Sequence, residues 1–224
     1  RTLEKWMQED RRWSAGRVLT HARRVDDGGG RICLPQLGPG ANCEIPSGTP
    51  DTEDDAARLR QQLQFVLPLT HLDRALAAGN LRAAFRRQAA SGKLLTGIER
   101  DRNCFNPSTD SSDLEVWLLL GTAYFAANTE CPEFLNESAD LDGGSPGETD
   151  SVWNRLLRTV EWVRNEIDVG PHGLIRIGAG DSNPMLNRMG IAGKGESTLN
   201  TILLCYALEL LVEGGRECEA SSEQ

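Results

Sequence analysis

Basic charge is in short supply in this chain: 24 Lys and Arg stand against 33 Asp and Glu, a formal net charge of −9. Phosphate backbones are bound through basic surfaces, so the deficit excludes a general nucleic-acid binder and leaves no polybasic patch for anionic lipid. Histidine is scarce, three in 224 residues. The six cysteines, at 33, 43, 104, 131, 205 and 218, show no C-x-x-C spacing and no histidines at zinc-finger distance. The common structural zinc modules are thereby excluded. No apolar run reaches the ~20 residues of a membrane span, and no charged-then-apolar leader follows Arg1. That pattern leans toward a cytoplasmic protein without a membrane span. Aromatics make up 5%, although five of the twelve are tryptophan.

The remaining cysteine readings are modest. Cys33 and Cys43 bracket a Pro/Gly loop and would pair only in an oxidising compartment. Cys205 lies in an apolar run and reads as a small core residue. Residues 130–150 hold seven Asp and Glu and no Lys or Arg. This reads as a solvated surface loop, because calcium loops need a tighter alternation of oxygen ligands than Asp140-Leu-Asp142 offers. No metal and no organic cofactor is implied.

Helical periodicity organises what is there. Residues 1–25 read as an amphipathic N-terminal helix, with Trp6 and Trp13 seven apart. Residues 26–54 read as a Pro/Gly-rich loop or linker, too long for an ordinary connection inside a domain. From 55 to 213 helical patterns recur. Asp55 to Ala78 carries Leu59, Leu63, Val66 and Leu67, with a break or kink expected at Pro68. Leu81 to Ala90 is a short second helix, and Asp113 to Asn128 is strongly apolar. Val152 to Ile167 has a three/four apolar spacing, and Glu196 to Val212 is the last helix. Residues 214–224 read as a polar tail. No strand-length alternation stands out, beyond a short strand at Ile175-Arg-Ile177 in a hairpin. The fold class is mainly α.

Three segments carry chemistry. In Asn106-Pro-Ser-Thr-Asp-Ser-Ser-Asp113-Leu-Glu115-Val-Trp117, Ser112 and Glu115 have the spacing of a capping box, and Asp113 suits the first helical turn. The same residues also read as a cluster of carboxylates, Asp110, Asp113 and Glu115, at a helix mouth. There burial would raise a carboxyl toward neutrality and fit it for proton transfer. In Pro171-His172-Gly173 and Gly178-Ala-Gly-Asp181-Ser-Asn183, glycines admit close backbone approach, and the compact Asp181 and Asn183 suit sugar hydroxyls. The alternative is a set of turns in which His172 caps or packs. Gly193-Lys194-Gly195-Glu196-Ser197 opens a helix whose free N–H groups, with Lys194, favour an anion. It lacks the spacing of a Walker loop.

Taken in order, P-S-x-x-S-S-D-L-E-V-W-L-L, G-P-H-G-L-I-R-I-G-x-G-D and G-K-G-E-S resemble the cellobiose phosphorylase-like glycosidases, including the related domains of cyclic glucan synthases. The resemblance covers roughly residues 60 to 212. It implies an (α/α)6 toroid of helical hairpins, incomplete here, acting on a disaccharide or oligosaccharide with inversion. Inorganic phosphate is then a co-substrate, or water takes its place. Asp113 matches the family's general acid and Asp181 its sugar-binding aspartate. Asp110, Glu115, Trp117, His172, Asn183, Lys194 and Glu196 join the substrate-binding set. Two departures point to a catalytically degenerate sugar-binding or scaffolding relative: Ser182 stands where the family has tryptophan, and Pro184 where it has a second aspartate. Where many members have paired aspartates, this chain has Asp113-Leu114. A third reading, a helical interaction domain without a sugar role, predicts no response to saccharides.

Overall fold

The computed structural model describes residues 22–26, 31–35, 52–96, 104–129, 133–139, 150–179, 181, 189–190 and 192–222. These residues are mainly helical. The elements are β1 (Ala22–Asp26), β2 (Arg31–Pro35), α1 (Thr52–Leu72), α2 (Arg74–Arg86), α3 (Leu114–Thr129), α4 (Glu133–Asn136), β3 (Ser138–Ala139), β4 (Asp150–Ser151), α5 (Val152–Trp162) and α6 (Thr198–Ser222). A π-helical segment, Val163–Ile167, continues α5.

Helix α3 is the centre. Eleven of its sixteen residues are buried, from Leu114 and Glu115 through Leu118, Leu119 and Leu120 to Phe125 and Thr129. A helix apolar around its whole circumference needs neighbours on every side, and α3 has them in α1, α2, α5 and α6. Helix α1 offers Leu59, Leu63, Val66 and Leu69, each at 1% exposure or less. The three/four spacing puts these on one stripe. Burying each such side chain contributes on the order of 1.5–3 kcal/mol.

The break after α1 falls at Asp73, not at Pro68. Helix α1 runs through Pro68 to Leu72, and Asp73 then caps α2, its carboxylate accepting from Leu76 N–H at 3.1 Å. An aspartate side chain that satisfies a free helical N–H ends one helix and starts the next more effectively than a proline near a C-terminus. The expected boundary near Ala78 to Leu81 is thus corrected: Leu76 through Leu81 form the buried middle of α2.

Two readings of the termini also change. Strands β1 and β2 pair antiparallel, Ala22 with Pro35 through Asp26 with Arg31. The chain is therefore extended where the N-terminal helix was expected to finish and the linker to begin. The rest of that helix, residues 1–21, and most of the linker, 36–51, lie outside the described residues. At the other end α6 continues to Ser222 rather than stopping at Val212. Cys205 is exposed on α6; the buried face of that helix carries Asn200, Ala207 and Leu211, so the core reading of Cys205 is overturned. Much of the acidic stretch, 140–149, lies outside the described residues. Among the described residues no helix is long and apolar enough to cross a membrane.

Candidate functional site

Two loops meet at the start of α3. Gly178 lies so close to the other loop that a Cβ on it would stand 2.1 Å from the Asp110 carbonyl oxygen, so only glycine fits there. Ala179 N–H donates to the Pro107 carbonyl at 2.9 Å. The sequence motifs around Asp113 and Asp181, nearly seventy residues apart, become one site.

Asp113 is 0% exposed. Arg60 reaches it from α1, Nε donating to Oδ2 at 2.6 Å and Nη2 to Oδ1 at 3.0 Å. Ser111 Oγ stands 2.5 Å from the same Oδ1 and 3.1 Å from Asp181 Oδ1. Ser112 donates to Asp181 twice, from N–H to Oδ1 at 2.7 Å and from Oγ to Oδ2 at 2.7 Å. Asn200 Nδ2, from α6, completes Asp181 Oδ2 at 3.2 Å. Asp110 sits beside this pair, held by Lys93 Nζ at 3.0 Å and by Asn106 N–H at 2.9 Å.

These contacts overturn the capping-box reading. Ser112 commits its N–H and hydroxyl to Asp181, and Glu115 turns away to accept from Leu94 N–H at 2.9 Å. Glu115 is 2% exposed, and its Oε2 has no hydrogen-bond partner among the described residues. A buried carboxylate outweighs a local cap when another segment supplies a better donor set.

The charges are unequal. Asp110, Asp113, Glu115 and Asp181 are buried together with Arg60 and Lys93, four acids against two cations. Arg60 pairs with Asp113 and Lys93 with Asp110, which leaves Glu115 and Asp181 without an ion-pair contact among the described residues. Burial pushes Glu115 up to about 7 against the pull of the Leu94 N–H and Lys93. Burial, then the Asp113 charge, pushes Asp181 up to about 6. The Ser111 hydroxyl carries one proton yet touches both carboxyls. A proton on Asp181 gives the second contact its donor.

A second grouping lies on the hairpin that follows the π segment. Val169 bridges to Ile175, and Arg176 bridges to Glu196, so isolated bridges stand where a short strand at 175–177 was expected. Between them Pro171-His172-Gly173 turns, with Gly173 at φ +75. Glu196 Oε1 accepts from His172 N–H at 3.3 Å and contacts His172 Nδ1 at 3.1 Å. Burial pulls Glu196 upward, but the His172 imidazole and N–H outweigh it, and the carboxyl titrates below the ordinary glutamate range.

The structure therefore brings Asp110, Asp113, Glu115 and Asp181 together, and places His172 with Glu196. Asp113 stands at the start of α3, as expected, and is fully buried there. Trp117 is half-buried with its ring against the core, its indole N–H unpartnered among the described residues. Lys194 is exposed, and Asn183 lies outside the described residues. Arg60, Lys93, Ser111 and Asn200 escaped the sequence reading. Arg60 had no local signal, because its partner is 53 positions away. Among the described residues no group of three His, Cys, Asp or Glu could hold a metal ion.

No family profile matches the chain. It is 30% identical over 159 residues to a 3-O-beta-D-glucopyranosyl-beta-D-glucuronide phosphorylase of Paenibacillus borealis, covering 69% of this chain and 20% of that protein. It is 31% identical over 160 residues to a solabiose phosphorylase of the same organism, covering 70% of this chain and 19% of that protein. The chain thus spans about a fifth of the length of these curated relatives. Over some seven-tenths of its residues, this chain is similar to a segment of glycoside phosphorylases, which supports a phosphorylase-like family.

Proposed function

We propose that the chain forms part of a carbohydrate-active catalytic domain that cleaves a glycosidic bond of a disaccharide by phosphorolysis, with inversion, its helices contributing to an (α/α)6 toroid. What supports this is the convergence of Asp113 and Asp181 through Ser111 in a chain similar to two glycoside phosphorylases. In this reading a carboxyl at the start of α3 protonates the leaving glycosidic oxygen while inorganic phosphate attacks the anomeric carbon from the opposite face. Asp113 is the acid, and Asp181, neutral up to about pH 6, is the adjacent carboxyl able to supply its proton. Breaking the Arg60 contact is part of freeing Asp113, since the guanidinium occupies both of its carboxylate oxygens.

The test uses the polypeptide that carries these residues, assayed for sugar 1-phosphate release from β-linked disaccharides. Asp113→Asn should abolish release while circular dichroism shows its helices intact. Retained turnover in a folded variant sinks the assignment of Asp113.

One observation favours a second reading, a sugar-binding relative without turnover: Asp113 is 0% exposed and gripped by Arg60 and Ser111. Calorimetry with disaccharide, with and without phosphate, separates the two, because binding without product supports the module.

A further inference from the structure

His172 is an exposed side chain with a nearly buried partner. Its side chain is 81% exposed, whereas that of its partner Glu196 is 8% exposed. Packing does not account for the arrangement, since an exposed imidazole gains little from burial. Instead three features fix it. The Glu196 carboxylate meets both the ring Nδ1 and the backbone N–H of His172 through one oxygen, Oε1. Gly170 makes room: a Cβ there would lie 2.2 Å from Oε1. The other carboxylate oxygen, Oε2, is sealed from solvent without a hydrogen-bond partner among the described residues, so the hydrogen bonds to His172 fall on Oε1 alone.

A carboxylate accepts and does not donate, so Nδ1 carries the proton, and in the neutral ring Nε2 is left as a bare lone pair. Such a partner also makes the far nitrogen a better acceptor, as it does for histidines that ligate metals. The pair uses a nearly buried carboxylate to aim one acceptor nitrogen at solvent. Protein groups have no evident use for that; a ligand hydroxyl does.

We infer that His172 and Glu196 form a carboxylate–imidazole dyad in which Nε2 accepts a hydrogen bond from a saccharide hydroxyl, with Glu196 as the positioning residue. The choice of a sugar hydroxyl rests on the proposed carbohydrate activity, whereas the dyad rests on geometry and its tautomer on the acceptor character of a carboxylate. An anion is the disfavoured occupant, because a bare nitrogen lone pair repels it.

The experiment is long-range 1H–15N spectroscopy of the imidazoles in the 15N-labelled protein at pH 7.5. With three histidines in the chain, His172→Gln assigns the signals by their loss. The expected result is a protonated Nδ1 and an unprotonated Nε2, with Nε2 shifting on addition of 3-O-β-D-glucopyranosyl-glucuronate, the sugar in the name of one relative, or of glucose. Glu196→Gln should return the ring to a mixture of tautomers. His172→Gln should weaken saccharide binding by about three- to tenfold, the worth of one net hydrogen bond.

A ring protonated at Nε2 overturns the dyad whatever the protein does. Saccharide that binds, seen by broadening of its own signals, without moving His172 overturns the ligand role and leaves the carbohydrate reading standing. Inorganic phosphate alone shifting Nε2 replaces the sugar with an anion and also overturns the proposal. If neither saccharide binds while the Nδ1-protonated ring is present, the carbohydrate reading fails and takes the sugar with it, and the dyad survives.

Discussion

Arg60 grips Asp113 across the interface of α1 and the start of α3, its Nε 2.6 Å from Oδ2 and its Nη2 3.0 Å from Oδ1. A buried pair is weak evidence of net stabilisation, but breaking one side of it strands a charge. Arg60→Met should therefore destabilise by about 3–5 kcal/mol. Arg60→Met with Asp113→Leu should recover much of that loss, because both charges leave together. Urea denaturation midpoints of the single and double variants check this. Equal midpoints for the two would show that Asp113 tolerates isolation.

The two acids without an ion-pair contact give stability a pH dependence. Glu115 rises from an ordinary value of 4.5 to about 7, and Asp181 from 3.8 to about 6. A carboxyl whose pKa is raised by folding contributes stability that is fully present below its unfolded value and is lost as pH climbs through its folded value. Stability should thus fall between roughly pH 4 and pH 7.5, by a few kcal/mol in total, since a tenfold change in a protonation equilibrium is worth about 1.4 kcal/mol. Glu115→Gln mimics the protonated acid. It should be nearly neutral at pH 5, stabilising at pH 8, and should leave only the lower part of the fall, near pH 6, to Asp181. Denaturant midpoints across that range decide the matter; a stability that rises with pH over it contradicts the assignment.

The helices were legible wherever apolar residues recur at three/four spacing. The Leu59–Leu63–Val66 stripe and the apolar run from Leu114 both lie in helices, as expected. What periodicity could not supply was the break at Asp73, because a side chain that caps the next helix competes there with the helix-breaking tendency of Pro68. The β1–β2 hairpin was missed because its strands alternate too little: Arg23-Arg24 and the glycines after Asp26 read as helix end and loop. At the site, the individual acids and glycines were visible as residue types. Their partners were not. Ser112-x-x-Glu115 fits a local cap, and only the approach of Asp181 and Leu94 from distant segments shows why neither residue makes it. Arg60 and Asn200 looked like ordinary polar positions on helices, since burial of a charge depends on a tertiary neighbour that spacing does not encode.

Two glycines with similar backbone angles should respond very differently to alanine. Gly92 has φ +94 and Gly173 has φ +75, so alanine at either position carries the strain of a Cβ in left-handed backbone, about 1–2 kcal/mol. At Gly173 nothing lies within 4 Å of the added atom, and the strain is the whole effect. At Gly92 the atom would stand 2.3 Å from the Arg158 carbonyl oxygen, a backbone group of α5 that cannot swing aside. The segment must then move away from α5. Gln88 Nε2, which donates to the Gly92 carbonyl at 3.3 Å and to Thr159 Oγ1 at 2.6 Å, loses its place, and Lys93 is drawn off Asp110. Gly92→Ala should cost clearly more than Gly173→Ala, by about 2 kcal/mol or more on the scale of overpacked interiors. Gly173→Ala should instead disturb the His172 turn with the fold nearly intact. Paired denaturation curves settle it: equal losses would mean that the 88–94 segment gives way freely, and that Lys93 is not held by the fit of Gly92 against α5.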